Sequence, residues 1–303
     1  MAEPQVYLVA YLDGAWDGYD PLSSTLDFPV CSADPTDIED NLRVALDLMA
    51  DCVGGRFVFA AHTGVYCREL FYQEPMLSLY GRLLAQGGEL AVHPHEELVG
   101  ESTFVNSERH MRAIILEKAA QLTNAGIGAT AYRGGYSAFA PRLTSVLEEA
   151  GISVELSATP GRENRRWGAL WKDASPTAYY LCSQDAFHTS CDHAPSTVLE
   201  IPLGWDGEGT DLDSYLWNES ADLESMKRTW EKILARQEST GETQFVHTVA
   251  HLFSMDKPEF RERWAAFLTY AQDNGARVVT PSQARDEFNR ALEPSGLNAN
   301  VRT

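Results

Sequence analysis

The order of the apolar runs constrains this fold more than any other feature of the chain. Short runs that read as buried strands alternate with longer stretches whose apolar residues recur at helical spacing. Strand-like runs fall at 5–12, 56–61, 89–93, 129–132, 152–156, 197–203, 244–253 and 276–280. Helical stretches fall between them, near 36–53, 74–86, 106–125, 141–150, 221–239 and 257–273, with a last one opening at Pro281. In the first helix Ile38, Leu42, Leu46 and Met49 share a face, and Gly54-Gly55 stops it. In the third, Met111, Ile114, Ile115, Leu116, Ala119 and Leu122 define the buried face. About seven or eight such units predict a parallel sheet with helices outside it.

Polar residues cluster where these strands end. The first run is followed by Asp13-Gly14 and by Asp17, the second by His62, the third by His93-Pro94-His95, the fourth by Arg133-Gly134-Gly135-Tyr136. Later runs give Trp205 and Asp206, and His251. Parallel α/β folds bind ligands at the carboxyl ends of their strands. A doubly wound sheet would spread these residues along a crevice, whereas a barrel would converge them. Convergence from the first strand to the seventh favours a distorted (β/α) barrel of about seven parallel strands. One domain over 1–293 is expected, with an inserted polar and aromatic segment at 158–196 and a tail at 294–303. The aromatics of that insert read either as the core of an inserted lobe or as a sugar-stacking surface.

His93 and His95 carry the chemistry most directly. Residues i and i+2 of an extended segment point to one side, so the two imidazoles could share a transition metal. Pro94 between them stiffens the backbone. His62, alone at its strand end, suits a structural or substrate-contacting role better than ligation.

Charge and cysteine content narrow the class. A formal net charge of −20 over 303 residues argues against nucleic acid or an anionic membrane as the main partner. Five cysteines without a Cys-x-x-Cys pair suggest neither a disulfide framework nor a Cys-rich zinc site. No apolar run approaches the ~18 residues of a membrane span. The first residues carry no basic or apolar leader, and a cytoplasmic protein is expected.

Taken in order, these motifs resemble the polysaccharide deacetylase family, the NodB-homology fold of carbohydrate esterase family four, in divergent form. Tyr11-Leu12-Asp13-Gly14 is similar to its first motif, His93-Pro94-His95 to its metal-binding histidine pair, and Arg133-Gly134-Gly135-Tyr136 to its Arg-containing turn. Leu199-Glu200-Ile201-Pro202 with Asp206 resembles its late Asp motif, and His251 its closing histidine. The resemblance implies a metal-dependent hydrolase that removes an N-acetyl or similar acyl group from an amino sugar or glycoside. It implies a divalent metal, zinc foremost, on Asp13, His93 and His95, with Glu97 as the alternative to His95. It also implies a carboxylate base (Asp17, or Asp13), Arg133 orienting that base, and His251 protonating the leaving amine. His62, Tyr136, Trp205 and Asp206 would line the substrate. The family's paired aspartates are not matched in full, because Leu12 stands where the base is usual. Two rivals share the residues: a hydrolase of a non-carbohydrate amide, and a non-catalytic carbohydrate-binding relative. The expected partner is a small amino sugar or glycoside, with a homo-oligomer as an open possibility.

Overall fold

The computed structural model describes residues 5–15, 35–63, 69–95, 108–165, 167–184 and 195–292. Asp17, Glu97, His188, His193 and the expected tail lie outside the described residues.

Among the described residues eleven strands and seven α-helices follow in the expected alternation. They are β1 (Val6–Asp13), α1 (Pro35–Val53), β2 (Val58–His62), α2 (Met76–Ala85), β3 (Glu89–His93), α3 (Glu108–Asn124), β4 (Ala129–Tyr132), α4 (Thr144–Glu149) and β5 (Val154–Glu155). The insert contributes β6 (Glu163–Asn164), β7 (Ala169–Leu170) and β8 (Tyr179–Tyr180). Then come β9 (Leu199–Glu200), α5 (Leu223–Thr240), β10 (Gln244–His251), α6 (Pro258–Asp273), β11 (Ala276–Val279) and α7 (Pro281–Leu292). Local chemistry sets the ends. Asp222 caps α5 by accepting the Ser225 amide at 2.7 Å, and Gly241, at φ 67°, terminates it in the left-handed region.

The main sheet runs β10-β1-β2-β3-β4-β5-β9-β8, with β11 also paired to β1. Every junction from β10 to β9 is parallel, and only β8 joins antiparallel. Beyond β9 a parallel bridge between Leu203 and His247 returns the sheet to β10. His247 N donates to Pro202 O at 2.9 Å and Gly204 N to His247 O at 2.8 Å. Seven parallel strands thus curl into a distorted barrel whose last seam is a single bridge.

Alternation along β1 sorts its side chains. Val6, Leu8, Ala10 and Leu12 join the outer core with Leu42, Leu46, Met49, Phe267 and Leu268 of the helices. Tyr7, Val9 and Tyr11 join the inner core with Val58, Ala60, Ala91, Ala131, Phe245 and Val249. Burial on both faces explains why β1 is an unbroken apolar run. With a side-chain period of two, Asp13 continues the inner series of β1, His62 that of β2, His93 that of β3 and His251 that of β10.

The insert lies on the barrel through its aromatics. Trp171 is fully buried in the outer core and donates Nε1–H to Ser137 O at 2.6 Å. Cys182 is disulfide-bonded, although the cysteine spacing suggests no disulfide framework.

Candidate active site

Four inward side chains meet at the carboxyl ends of β1, β2, β3 and β10. Asp13 is in register with His251 on one side and with Ala60 on the other, and His62 is in register with His93. The peptide after Asp13 runs close to β2. A Cβ on Gly14 would lie 2.3 Å from Ala60 O, so only glycine fits there.

Asp13 and His93 form the centre. Asp13 Oδ1 accepts the Ala15 amide at 2.8 Å and Oδ2 accepts the Tyr11 hydroxyl at 3.2 Å. His93 Nδ1 faces Arg133 O at 2.8 Å, so that nitrogen carries the proton and Nε2 carries the lone pair. Nε2 stands 3.1 Å from Asp13 Oδ1 and makes no hydrogen bond among the described residues. Burial holds the His93 pKa below the ordinary imidazole value, against the pull of Asp13. Burial pushes Asp13 upward, but His93 beside it, then His251 and Arg133, hold it well below the usual carboxylate range.

A ladder of rings extends from this pair. His95 lies 4.8 Å from His93 between ring centres and is stacked on His62 at 4.9 Å. Tyr136 meets the His95 ring at 4.8 Å and stacks on Trp167 at 4.1 Å. The turn that carries Tyr136 is tightly built. A Cβ on Gly135 would lie 2.7 Å from Pro94 O and 2.8 Å from His95 Cδ2. Tyr136 (φ 56°) and Ser137 (φ 61°) both occupy the left-handed region, which costs a non-glycine residue of order 1–3 kcal/mol.

Arg133 is buried below the pair. Its Nη1 donates to Leu156 O and to His247 Nε2, each at 2.7 Å, and its guanidinium lies 5.0 Å over the Tyr11 ring. Its described hydrogen bonds therefore go to β5, β10 and Ser137, not to Asp13, on which it acts through its charge. His247 Nδ1–H donates to Ile201 O at 2.8 Å. Burial and the Arg133 charge keep that imidazole neutral.

His251 faces a buried carboxylate. Its Nδ1 lies 2.9 Å from Glu219 Oε2, while Glu219 Oε1 accepts the His251 amide at 2.9 Å and the Ser254 hydroxyl at 2.6 Å. Burial alone would lower the His251 pKa, but Glu219 and then Asp13 outweigh it and raise it. Trp217 stacks on the ring at 5.6 Å and Phe253 lies tilted against it at 5.2 Å.

Trp205 and Asp206 stand apart from this cluster. Asp206 Oδ1 accepts the amides of Glu208 (2.8 Å) and Gly209 (3.0 Å) and shapes its own loop. Trp205 donates Nε1–H to Gly209 O at 2.6 Å and stacks on Tyr215. Asp17 and Glu97 lie outside the described residues. Among the described residues no group of three His, Cys, Asp or Glu side chains is placed to hold a metal ion. Asp13 and His93 converge as a pair.

Sequence reasoning missed Glu219, His247, Glu155 and Glu200. Glu155 and Glu200, in register on β5 and β9, are fully buried. Glu155 Oε1 accepts both the Ser157 amide (2.9 Å) and its hydroxyl, and Glu200 Oε1 accepts the Ala158 amide at 3.0 Å. The Oε2 atom of each makes no hydrogen bond among the described residues. Burial pushes both carboxyls up, Glu200 further because Glu155 is its neighbour, while Glu200 and Ser157 stabilise charge on Glu155. A signal existed. A single charged residue inside each of the apolar runs at 152–156 and 197–203 must find a partner if the run is buried.

No protein-family model and no curated protein matches the chain. Solved structures do. A protein described as a polysaccharide deacetylase from Mycobacterium smegmatis aligns at TM-score 0.59 and 14% identity, covering 98% of this chain and 94% of its own. One from Pseudomonas aeruginosa PAO1, with the same description, aligns at TM-score 0.58 and 12% identity, covering 96% and 93%. The Puue allantoinase aligns at TM-score 0.57 and 11% identity, covering 97% and 93%. At these identities the likeness establishes the fold. It is the fold read from the ordered motifs, the curled parallel barrel of the polysaccharide deacetylases.

Proposed function

We propose that this chain is a divalent-metal-dependent amide hydrolase that removes an N-acetyl or similar acyl group from an amino sugar or glycoside. The observation that carries the reading is the Asp13–His93 pair. A lone pair on a neutral imidazole nitrogen faces a carboxylate oxygen at 3.1 Å in a buried site. Where the ring is neutral the two acceptors repel unless a proton or a metal ion lies between them, and a buried site of this kind suits the metal ion. With ligand bonds of about 2.0–2.2 Å, two donors on one ion stand about 3.0–3.5 Å apart, depending on the angle between the bonds. The pair therefore fits a small transition-metal ion, and nitrogen with oxygen donors suits zinc.

Asp13 and His93 would hold the ion; His95, which is stacked on His62 and forms no ligand set of three with that pair, would have to turn toward it to be the third ligand, and Glu97 is the alternative. Such an ion would supply Lewis acidity, enough to bring the pKa of the attacking water to about 7 and to polarise the amide carbonyl. The chain's own groups do the proton work. Asp17 takes a proton from the attacking water. His251 gives one to the departing amine nitrogen, and Glu219 fixes its Nδ1–H so that Nε2 faces the site. Proton transfer of this kind contributes about 10²–10⁴-fold. The Arg133 charge favours the ionised form of the site carboxylate. Tyr136 and His62 line the substrate side of the ring ladder. Trp205 and Asp206 would meet only the distal part of a longer glycoside.

A non-carbohydrate amide is the second reading, supported by the likeness to an allantoinase. A small molecule is the partner in either case, because a charge of −20 disfavours nucleic acid and anionic membrane. No helix among the described residues is long and apolar enough to cross a membrane. A cytoplasmic location would require the Cys182 disulfide to persist in reducing surroundings.

The test is elemental analysis of protein purified without chelator, beside His93→Ala, followed by assay on N-acetylated sugars and on cyclic ureides. Near-stoichiometric metal that is lost in the variant, with turnover of the sugars, is expected. Turnover of ureides alone would move the substrate class. Absence of metal in the wild type, with none taken up on titration, would overturn the mechanism.

A further inference from the structure

The Arg133–Gly134 peptide group joins the site to the buried carboxyl pair. Its carbonyl accepts His93 Nδ1–H at 2.8 Å. Its amide, on the opposite side of the same planar unit, donates to Ser157 Oγ at 2.7 Å. Ser157 then donates its hydroxyl proton to Glu155 Oε1. Glu155 is held on its other side by Glu200, and every group in the chain is buried.

The bonds all run in one direction. Each donor in turn (imidazole N–H, peptide N–H, serine O–H) points away from His93 and toward the Glu155 carboxylate. Bonds aligned this way polarise one another, and a charge at one end strengthens the dipole at the other. A ligand histidine ordinarily donates its second N–H to a carboxylate or carbonyl that fixes its tautomer and raises its basicity. Here the acceptor is a carbonyl, and a carboxylate stands two hydrogen bonds behind it.

We propose that Ser157 and Glu155 are positioning residues which, acting through the Arg133–Gly134 peptide, hold His93 in its Nδ1–H tautomer with Nε2 presented to Asp13. The inference rests on the metal-site reading for its purpose, but the tautomer it specifies is a property of the protein without metal. Neither residue touches substrate. Glu200 is pushed further up than Glu155 by burial and by Glu155 itself, so of the two carboxyls the one that faces Ser157 ionises more readily. Sequence spacing gives no hint of this link, because Ser157 is 64 residues from His93.

The experiment uses ring ¹⁵N NMR of His93 in chelator-treated full-length protein, and titration with Zn²⁺ and Co²⁺ against a competing chelator. Wild type, Ser157→Ala and Glu155→Gln are compared, with far-UV circular dichroism as the control for folding. In wild type, His93 is expected as the Nδ1–H tautomer alone. In Ser157→Ala the Nε2–H form should become populated, and metal affinity should fall about 10–100-fold, the usual loss for an outer partner of a ligand. Glu155→Gln keeps the acceptor oxygen and loses the charge, so its affinity should fall by less. An unchanged tautomer and metal affinity within about twofold of wild type in a folded Ser157→Ala protein would overturn the proposal. A wild type that takes up no metal, while its His93 tautomer still shifts in Ser157→Ala, would uphold the relay and remove the metal-site reading. Should Ser157→Ala fail to fold, Glu155→Gln decides on the same two readouts.

Discussion

Glu219→Gln is the substitution whose effect can be worked out most fully. The carboxylate accepts three hydrogen bonds: from the His251 amide and the Ser254 hydroxyl at Oε1, and from His251 Nδ1–H at Oε2. Glutamine keeps the shape and can keep its oxygen at the Oε1 position, so two of the three bonds survive. Its NH₂ group then faces His251 Nδ1. When the imidazole is protonated, donor meets donor and a charge-assisted bond worth about 1.5–3 kcal/mol is lost. When the imidazole is neutral, the ring can move its proton to Nε2 and accept the glutamine N–H. The loss should then be smaller, the difference between a neutral N–H donating to an ionised carboxylate and a bond between two neutral groups.

The pH window follows from the two shifts. His251 is raised, so its contribution to stability is fully present below the ordinary imidazole value of 6.5 and disappears as pH rises through its folded value. Glu219 is lowered, so its contribution is present above the ordinary 4.5 and disappears as pH falls through its folded value. Both are in force near pH 5.5. Urea unfolding of wild type and variant in chelator, at pH 5.5 and at pH 9.5, should show the larger difference at pH 5.5. Equal differences at the two pH values would refute the ion pair and leave only packing.

Two further substitutions test the turn that carries Tyr136. Gly135→Ala should destabilise by about 1–3 kcal/mol in urea, because its methyl must displace Pro94 O or the His95 ring, whereas Gly128→Ala, where a Cβ meets nothing within 4 Å, should be tolerated. Trp171→Phe removes the donor to Ser137 O and should cost about 1–3 kcal/mol with no dependence on pH between 6 and 9, measured in the same way.

The residues that sequence could place are those governed by the strand itself. Asp13, His62, His93 and His251 each follow an apolar run by a fixed parity, and parity is enough to aim a side chain into a barrel. Glu219 obeys no such rule. It sits 32 residues before its partner on an irregular stretch, and it arrives only because Trp217 bridges Val249 and Asn218 N donates to Val249 O at 2.9 Å. Trp205 and Asp206 show the opposite failure. They follow a strand run, but the chain has already crossed to β10 at Leu203, and the Asp206 carboxylate is taken up by the amides of its own loop. Position after a strand is informative while the strand continues its ladder, and loses force once the seam has closed.

That seam also separates structural polarity from chemistry. β5 and β9 are two residues long, so their ladders end early and leave carbonyls inside the barrel without strand partners. A buried carbonyl must be satisfied. Arg133 satisfies Leu156 O and His247 satisfies Ile201 O, and the two side chains then satisfy one another. A binding protein on this barrel would need both residues as much as an enzyme would, so their presence says little about turnover. Asp13 is different. Its carboxylate closes no ladder, and its Oδ1 stands 3.1 Å from the buried Nε2 of His93. The barrel needs neither side chain to close, which is why the pair, and not Arg133 or His247, is the place to test for chemistry.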